Sequence, residues 1–254
     1  MHRRKIAFSK ISQWILIGLA LVQSGASQAL VGQSFDARET QRHVVMVLAR
    51  SNTTASFCTG TVLTRTIVLT AAHCVADRAT TRVFIKDDAG QQRLLEISNI
   101  AVHPGYEKDA ARLRRKSIDL ALVQLQLPLP SMLIPLPVSQ SSTAGMGDQF
   151  VVAGFGMTQE NQPKTGGTLR KTALQVRAPL SNVLLWLEGV GGAQDGACTG
   201  DSGAPVLDAS GTQLFAVVAF AAGRAGHACG QLTQAILIAP QRAWIDQILQ
   251  RWGQ

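Results

Sequence analysis

The chain is predicted to be all-β, two barrel-forming halves followed by one C-terminal helix. Three observations carry that prediction: apolar segments of strand length rich in β-branched residues, turn residues between them, and no long 3.6-residue period before the C-terminus. The first half supplies six segments, 43–49, 60–63, 67–70, 82–86, 94–102 and 120–125, with Asp88-Ala89-Gly90 as a turn signal. Pro128-Leu129-Pro130, then Pro135 and Pro137, break the chain and read as the crossover between halves. The second half repeats the pattern at 149–154, 171–178, 183–187, 204–207, 213–221 and 235–238. Closing such strands into barrels removes exposed edges. Residues 240–252 differ: Trp244, Ile245, Ile248 and Leu249 recur at helical spacing, which predicts a helix packed on the barrels.

Length and composition bound the function. A chain of 254 residues has room for one large β domain or two small ones. Aromatic content is only 5%, so aliphatic side chains must fill most of the core. Half of the formal net charge of +8 comes from Arg3, Arg4, Lys5 and Lys10. These lie in residues 1–29, which read as a secretory signal: a basic start, an apolar run at 14–22 and small residues after it. The run is short for a membrane span, an uncleaved anchor being the alternative. Cleavage after Ala29 or after Ala26 both fit the small-x-small rule. With the signal removed, the remaining positive excess points to no nucleic-acid partner. Four cysteines in an exported chain predict two disulfides, and the residues alone leave all three pairings open.

The chemistry concentrates in three stretches. Gly200-Asp201-Ser202-Gly203-Ala204-Pro205 is a tight turn that exposes a hydroxyl and can aim backbone N–H groups at an oxyanion. A serine hydroxyl is a weak nucleophile and needs a base, itself oriented by a third group. Thr70-Ala71-Ala72-His73-Cys74 offers the base, and Ser117-Ile118-Asp119-Leu120-Ala121-Leu122 the orienting carboxylate. In the order His, Asp, Ser, about 46 and 83 residues apart, the three segments resemble the trypsin-like (chymotrypsin-fold) serine peptidases. The resemblance runs from about Leu30 to the C-terminus and looks like a secreted, bacterial-type member.

That resemblance implies two six-stranded antiparallel β-barrels packed together, the first at about 30–137 and the second at about 138–239. It implies an endopeptidase working through an acyl-enzyme, with Ser202 as nucleophile, His73 as general base and then acid, and Asp119 orienting His73. The N–H groups of Gly200 and Ser202 would form the oxyanion hole. The implied disulfides are Cys58–Cys74 and Cys198–Cys229. Leu30-Val31-Gly32-Gln33 is similar to the family's mature start, whose freed α-ammonium pairs with the aspartate before the serine, here Asp201. A cut after Ala29 would expose that terminus on export; a cut after Ala26 would leave Ser27-Gln28-Ala29 to be trimmed. Val152-Ala153-Gly154-Phe155-Gly156 resembles a family Gly-Trp-Gly stretch, with Phe155 in the tryptophan's place.

The specificity pocket departs from the family pattern. Gly196 stands where the pocket floor is expected, with Asp195 one place earlier, and Ala219-Phe220-Ala221 replaces Ser-Trp-Gly. Ala219 thereby removes a hydroxyl that normally bonds the catalytic aspartate, and Ala221 narrows the pocket. The expected preference is for small or medium apolar residues before the scissile bond. The alternative from another class is a weak or inactive protease homologue serving as a binding module. His103, in Val-His-Pro-Gly-Tyr, is read as structural, and His43 and His227 carry no motif. Asp87, Asp88 and Glu96 fall where some relatives bind calcium, but no ligand spacing predicts a metal site. The basic run Arg112-Leu113-Arg114-Arg115-Lys116 reads as a solvated loop, the alternative being a recognition site for acidic partners or a self-cleavage site. No cofactor is expected. The expected partners are protein or peptide substrates, with protein inhibitors as a second class. The expected state is a secreted or periplasmic monomer without a membrane span.

Overall fold

The computed structural model describes residue 30 and residues 35–50, 55–75, 77–87, 89–113 and 115–254. The signal expected at 1–29, Val31-Gly32-Gln33, Asp88 and Arg114 lie outside the described residues.

The first half folds as β2 (Val44–Arg50), β3 (Ala55–Val62), β4 (Ile67–Thr70), β5 (Thr81–Lys86), β6 (Gln92–Leu95), β7 (Ile97–Val102) and β8 (Ala121–Leu125). They form one antiparallel, barrel-like sheet in the order β6-β5-β2-β3-β4-β8-β7. Seven strands stand where six were expected, because 94–102 divides at Glu96. Leu95 pairs with Val83 of β5, whereas Ile97 pairs with Leu125 of β8, so the chain turns from one end of the sheet to the other.

The second half contains β9 (Gln149–Gly154), β10 (Arg170–Val176), β11 (Leu184–Gly189), β12 (Pro205–Leu207), β13 (Leu214–Ala222) and β14 (Leu232–Leu237). Because β9 pairs with both β10 and β12, these six close into a barrel. The first strand in sequence, β1 (Phe35–Asp36), joins this barrel at β10, with Phe35 opposite Lys171. The first described strand thus lies on the barrel that the second half builds. A single helical turn, α1 (Ala110–Leu113), begins the segment expected as a basic loop, and α2 (Arg242–Arg251) is the C-terminal helix.

Period-two geometry explains why the strands read as unbroken apolar runs. Successive side chains point to opposite faces, and here both faces are covered. Val68, Ala121, Val123 and Leu125 fill the interior of the first barrel, while Ile67, Leu69 and Leu122 point outward into the seam between barrels. On the other side, Ala216, Val218, Ala235 and Leu237 point into the second barrel, and Val217 and Ile236 into the seam. Helix α2 covers the same seam with Ile245 and Ile248. Trp244 of that helix meets the ring of buried His103 edge-on at 4.7 Å. The seam therefore fixes one barrel against the other, which matters because the candidate catalytic groups are divided between them.

Candidate active site

His73 lies in a 3-10 turn, Ala72–Cys74, at the end of β4, and Cys74 is bonded to Cys58 of β3. The second disulfide, Cys198–Cys229, ties the stretch before Ser202 to the segment entering β14. Asp119 lies two residues before β8, separated from it by buried Leu120. Its Oδ1 accepts the backbone N–H of His73 at 3.0 Å, and its Oδ2 lies 2.6 Å from Nδ1 of the same residue. One carboxylate therefore holds both the backbone and the ring of the histidine. With Nδ1 engaged, Nε2 is the nitrogen left for proton transfer. His73, Asp119 and Ser202 line one open cavity of roughly 500 Å³ between the barrels. No hydrogen bond joins the His73 ring to the Ser202 hydroxyl, a contact that often tightens only when substrate arrives.

The turn around Ser202 has the conformation its glycines were read to allow. Gly200 has φ of 101° and Gly203 has φ of 83°. A Cβ on Gly203 would collide with the Thr59 carbonyl and the Thr70 hydroxyl, so glycine is required there for space as well. Among the described residues, the N–H groups of Gly200 and Ser202 donate to no other part of the chain. Between them sits Asp201, fully buried. Its Oδ1 accepts the N–H of Gly156 at 2.8 Å and its Oδ2 that of Cys198 at 2.9 Å. Burial pushes this carboxyl up to about 7, against the pull of those two donors. Gly154 and Gly156 form the cradle, since a Cβ on either would fall on the carboxylate. Leu30 is also fully buried, in the same apolar cluster as Ala197 and Ala204 on either side of the turn.

Ala219, Phe220 and Ala221 line the cavity as expected, but Gly196 does not. Its Cα faces Gly230 and Thr233, and a Cβ there would lie 3.2 Å from the Gly230 Cα. Gly230, next to the disulfide half Cys229, thus packs directly against Gly196. The Ala197 N–H donates to the Thr233 hydroxyl at 2.9 Å and holds it there. Asp195 likewise does not line the cavity.

Other expected or competing residues have separate partners. Nδ1 of His103 accepts the Gly105 N–H at 3.0 Å, and burial lowers the histidine's pKa, which suits a structural role. His43 pairs through Nδ1 with the Ile134 carbonyl at 2.8 Å. Glu96 pairs with Arg82 at 2.8 Å, while Asp87 accepts the turn N–H groups of Ala89 and Gln91. These two carboxylates are thus engaged with different groups. Sequence reading missed a wall of the cavity made by Phe57, Tyr106, Glu107, Arg115 and Ser117. Ser117 stood in the quoted motif two residues before Asp119, Arg115 in the basic run and Tyr106 at the end of the His103 motif, none of them read as cavity wall; Phe57 and Glu107 gave no signal.

Comparison with known proteins bears on the family and the fold. The family model described as Trypsin matches residues 30–245. The chain belongs to the trypsin family. It is a serine-type endopeptidase. Trypsin eta of Drosophila erecta is 26% identical over 243 residues, covering 86% of this chain and 90% of that protein. Seminase of Drosophila melanogaster is 31% identical over 182 residues, covering 67% and 65%. Among solved structures, a scabies mite inactivated protease paralogue aligns with a TM-score of 0.68 at 21% identity, over 87% of this chain and 99% of its own. Human heparin binding protein aligns with a TM-score of 0.66 at 20% identity, over 87% and 96%. These structures share the chymotrypsin fold with this trypsin-family chain. Among the described residues, no helix is long and apolar enough to cross a membrane.

Proposed function

We propose that this endopeptidase cleaves peptide bonds through an acyl-enzyme formed on Ser202. The observation that carries the reading is the two-point grip of Asp119 on His73, beside a cavity that also holds Ser202 and Gly200. In this mechanism Nε2 of His73 takes the proton of the Ser202 hydroxyl as its Oγ attacks the substrate carbonyl. The imidazolium is stabilised by Asp119 and then returns the proton to the leaving amine. The developing oxyanion is met by the N–H groups of Gly200 and Ser202, which have no competing acceptor among the described residues. Ala219, Phe220 and Ala221 wall the primary pocket, and the methyl groups of the two alanines favour a small or medium apolar residue before the scissile bond.

The same reading includes removal of 1–29 on export, so that the protein acts outside the cytoplasm, and pairing of the new Leu30 α-ammonium with Asp201. The test is labelling by a fluorophosphonate probe, compared with Ser202→Ala, followed by a peptide-library cleavage profile. Labelling lost in the variant and a profile rich in Ala, Val or Leu support the proposal. A wild-type protein that is processed but does not label would favour the binding-module alternative. A profile dominated by Arg and Lys would move the specificity to Asp195.

A further inference from the structure

Thr59 sits in β3 beside the disulfide half Cys58 and is fully buried. Each of its polar groups is directed across the chain. Its N–H donates to the Ser202 carbonyl at 2.8 Å. Its hydroxyl donates to the Gly200 carbonyl at 2.9 Å and accepts the Phe155 N–H at 3.1 Å. Its own carbonyl accepts the Thr70 hydroxyl at 2.7 Å. One side chain of the first barrel thus joins two segments of the second, the nucleophile turn and the glycine-rich end of β9.

Gly200 is where that restraint matters. At a φ of 101°, a glycine has no side chain to hinder rotation of the peptides on either side of it. Fixing the Gly200 carbonyl sets the plane of the peptide to Asp201, and fixing the Ser202 carbonyl sets the peptide after it. The Ser202 N–H lies between these two fixed planes, and the Gly200 N–H adjoins the first. We propose that Thr59 is a positioning residue for the oxyanion donors, its hydroxyl holding the Gly200 peptide in the orientation that leaves both N–H groups free for substrate. This rests on the reading of Ser202 as nucleophile.

The test compares Thr59→Val, which keeps the shape and removes the hydroxyl, with Thr59→Ser, which keeps the hydroxyl. Kinetics on a small apolar peptide amide, fluorophosphonate reaction rates and thermal unfolding are measured for both, with Thr59→Ala as a further variant. A displaced oxyanion donor acts on the transition state, so Thr59→Val should lose roughly 10- to 100-fold in kcat and in probe reaction rate, with KM within about twofold. Thr59→Ser should return to within about threefold of wild type. The inference is overturned if a folded Thr59→Val keeps its kcat within twofold, if the loss lies in KM, or if Thr59→Ser is as impaired as Thr59→Val. It is also overturned if neither Thr59→Val nor Thr59→Ala folds, since the hydroxyl then serves the fold. A wild-type protein that fails to react with the probe sinks the peptidase reading itself, an outcome distinct from these.

Discussion

The grip of Asp119 on His73 concentrates one consequence in one carboxylate. Among the described residues it makes two hydrogen bonds, both to His73, one to the ring and one to the backbone. Replacing it by asparagine preserves shape but presents an amide to Nδ1, which favours the wrong tautomer. Asp119→Asn should therefore lower kcat by about 10⁴-fold with little change in unfolding temperature, read from ester hydrolysis and thermal melts. Ala219 makes the opposite experiment available. The family resemblance implies a hydroxyl at this position that bonds the aspartate, and Ala219 lines the cavity together with Asp119. Ala219→Ser should raise kcat/KM by roughly 2- to 12-fold, the range expected for one added hydrogen bond. An unchanged or lower kcat/KM would mean that Asp119 gains nothing from a third donor.

Loops between strands set the shape of the cleft, and one tether among them is specific enough to test. The carboxylate of Glu160, between β9 and β10, accepts the Ala228 N–H at 2.8 Å and lies 3.2 Å from Nδ1 of His227. Ala228 lines the cavity and precedes the disulfide half Cys229. Glu160→Ala frees that rim, so KM for extended peptides should rise about 3- to 10-fold while turnover of a small ester is nearly unchanged; Glu160→Gln, which keeps an acceptor for Ala228, should restore most of the loss. This tether also marks where the sequence stops being informative. Strand positions were legible because β-branched runs between turn signals have a local physical cause: Ile67–Thr70 and Gln149–Gly154 match the expected bounds to the residue. The corner at Glu96 was not legible, since β6 and β7 differ only in which distant strand each joins. The side chains of His73, Asp119 and Ser202 announced themselves by motif. Thr59 and Phe57 did not, because their value lies in contacts with Gly200, far away in sequence, which no periodicity encodes. Gly196 was placed by spacing to Ser202, and that spacing carries no information about the approach of Gly230 and Thr233 from 34 to 37 residues further on.

At the scale of the whole molecule, the proposed pairing of Asp201 with a terminus at Leu30 would couple that terminus to the turn at Ser202, and the coupling would have a pH signature. In a chain still preceded by Ser27-Gln28-Ala29, no ammonium exists at Leu30 to pair with the buried carboxylate. Its folded pKa is about 7, raised from 3.8 by burial. A raised acid binds its proton more tightly when folded, so this group's contribution to stability is greatest below about pH 4 and falls as pH climbs towards 7. At about 1.4 kcal/mol per unit, the loss is on the order of several kcal/mol. A chain beginning at Leu30 supplies the ammonium. Pairing draws the carboxyl pKa down and raises that of the ammonium above its unfolded value of about 7.7–8.0. Its stabilisation is present below that value and is lost as pH rises through the higher folded pKa. Two Ser202→Ala chains, one starting at Ser27 and one at Leu30, should therefore have thermal midpoints that diverge between pH 4 and 7 and converge again at alkaline pH. The active form starting at Leu30 should lose activity reversibly over the same alkaline range. Parallel melting curves across the whole pH range would show that Asp201 is satisfied by Cys198 and Gly156 alone, and would remove the terminus from the mechanism.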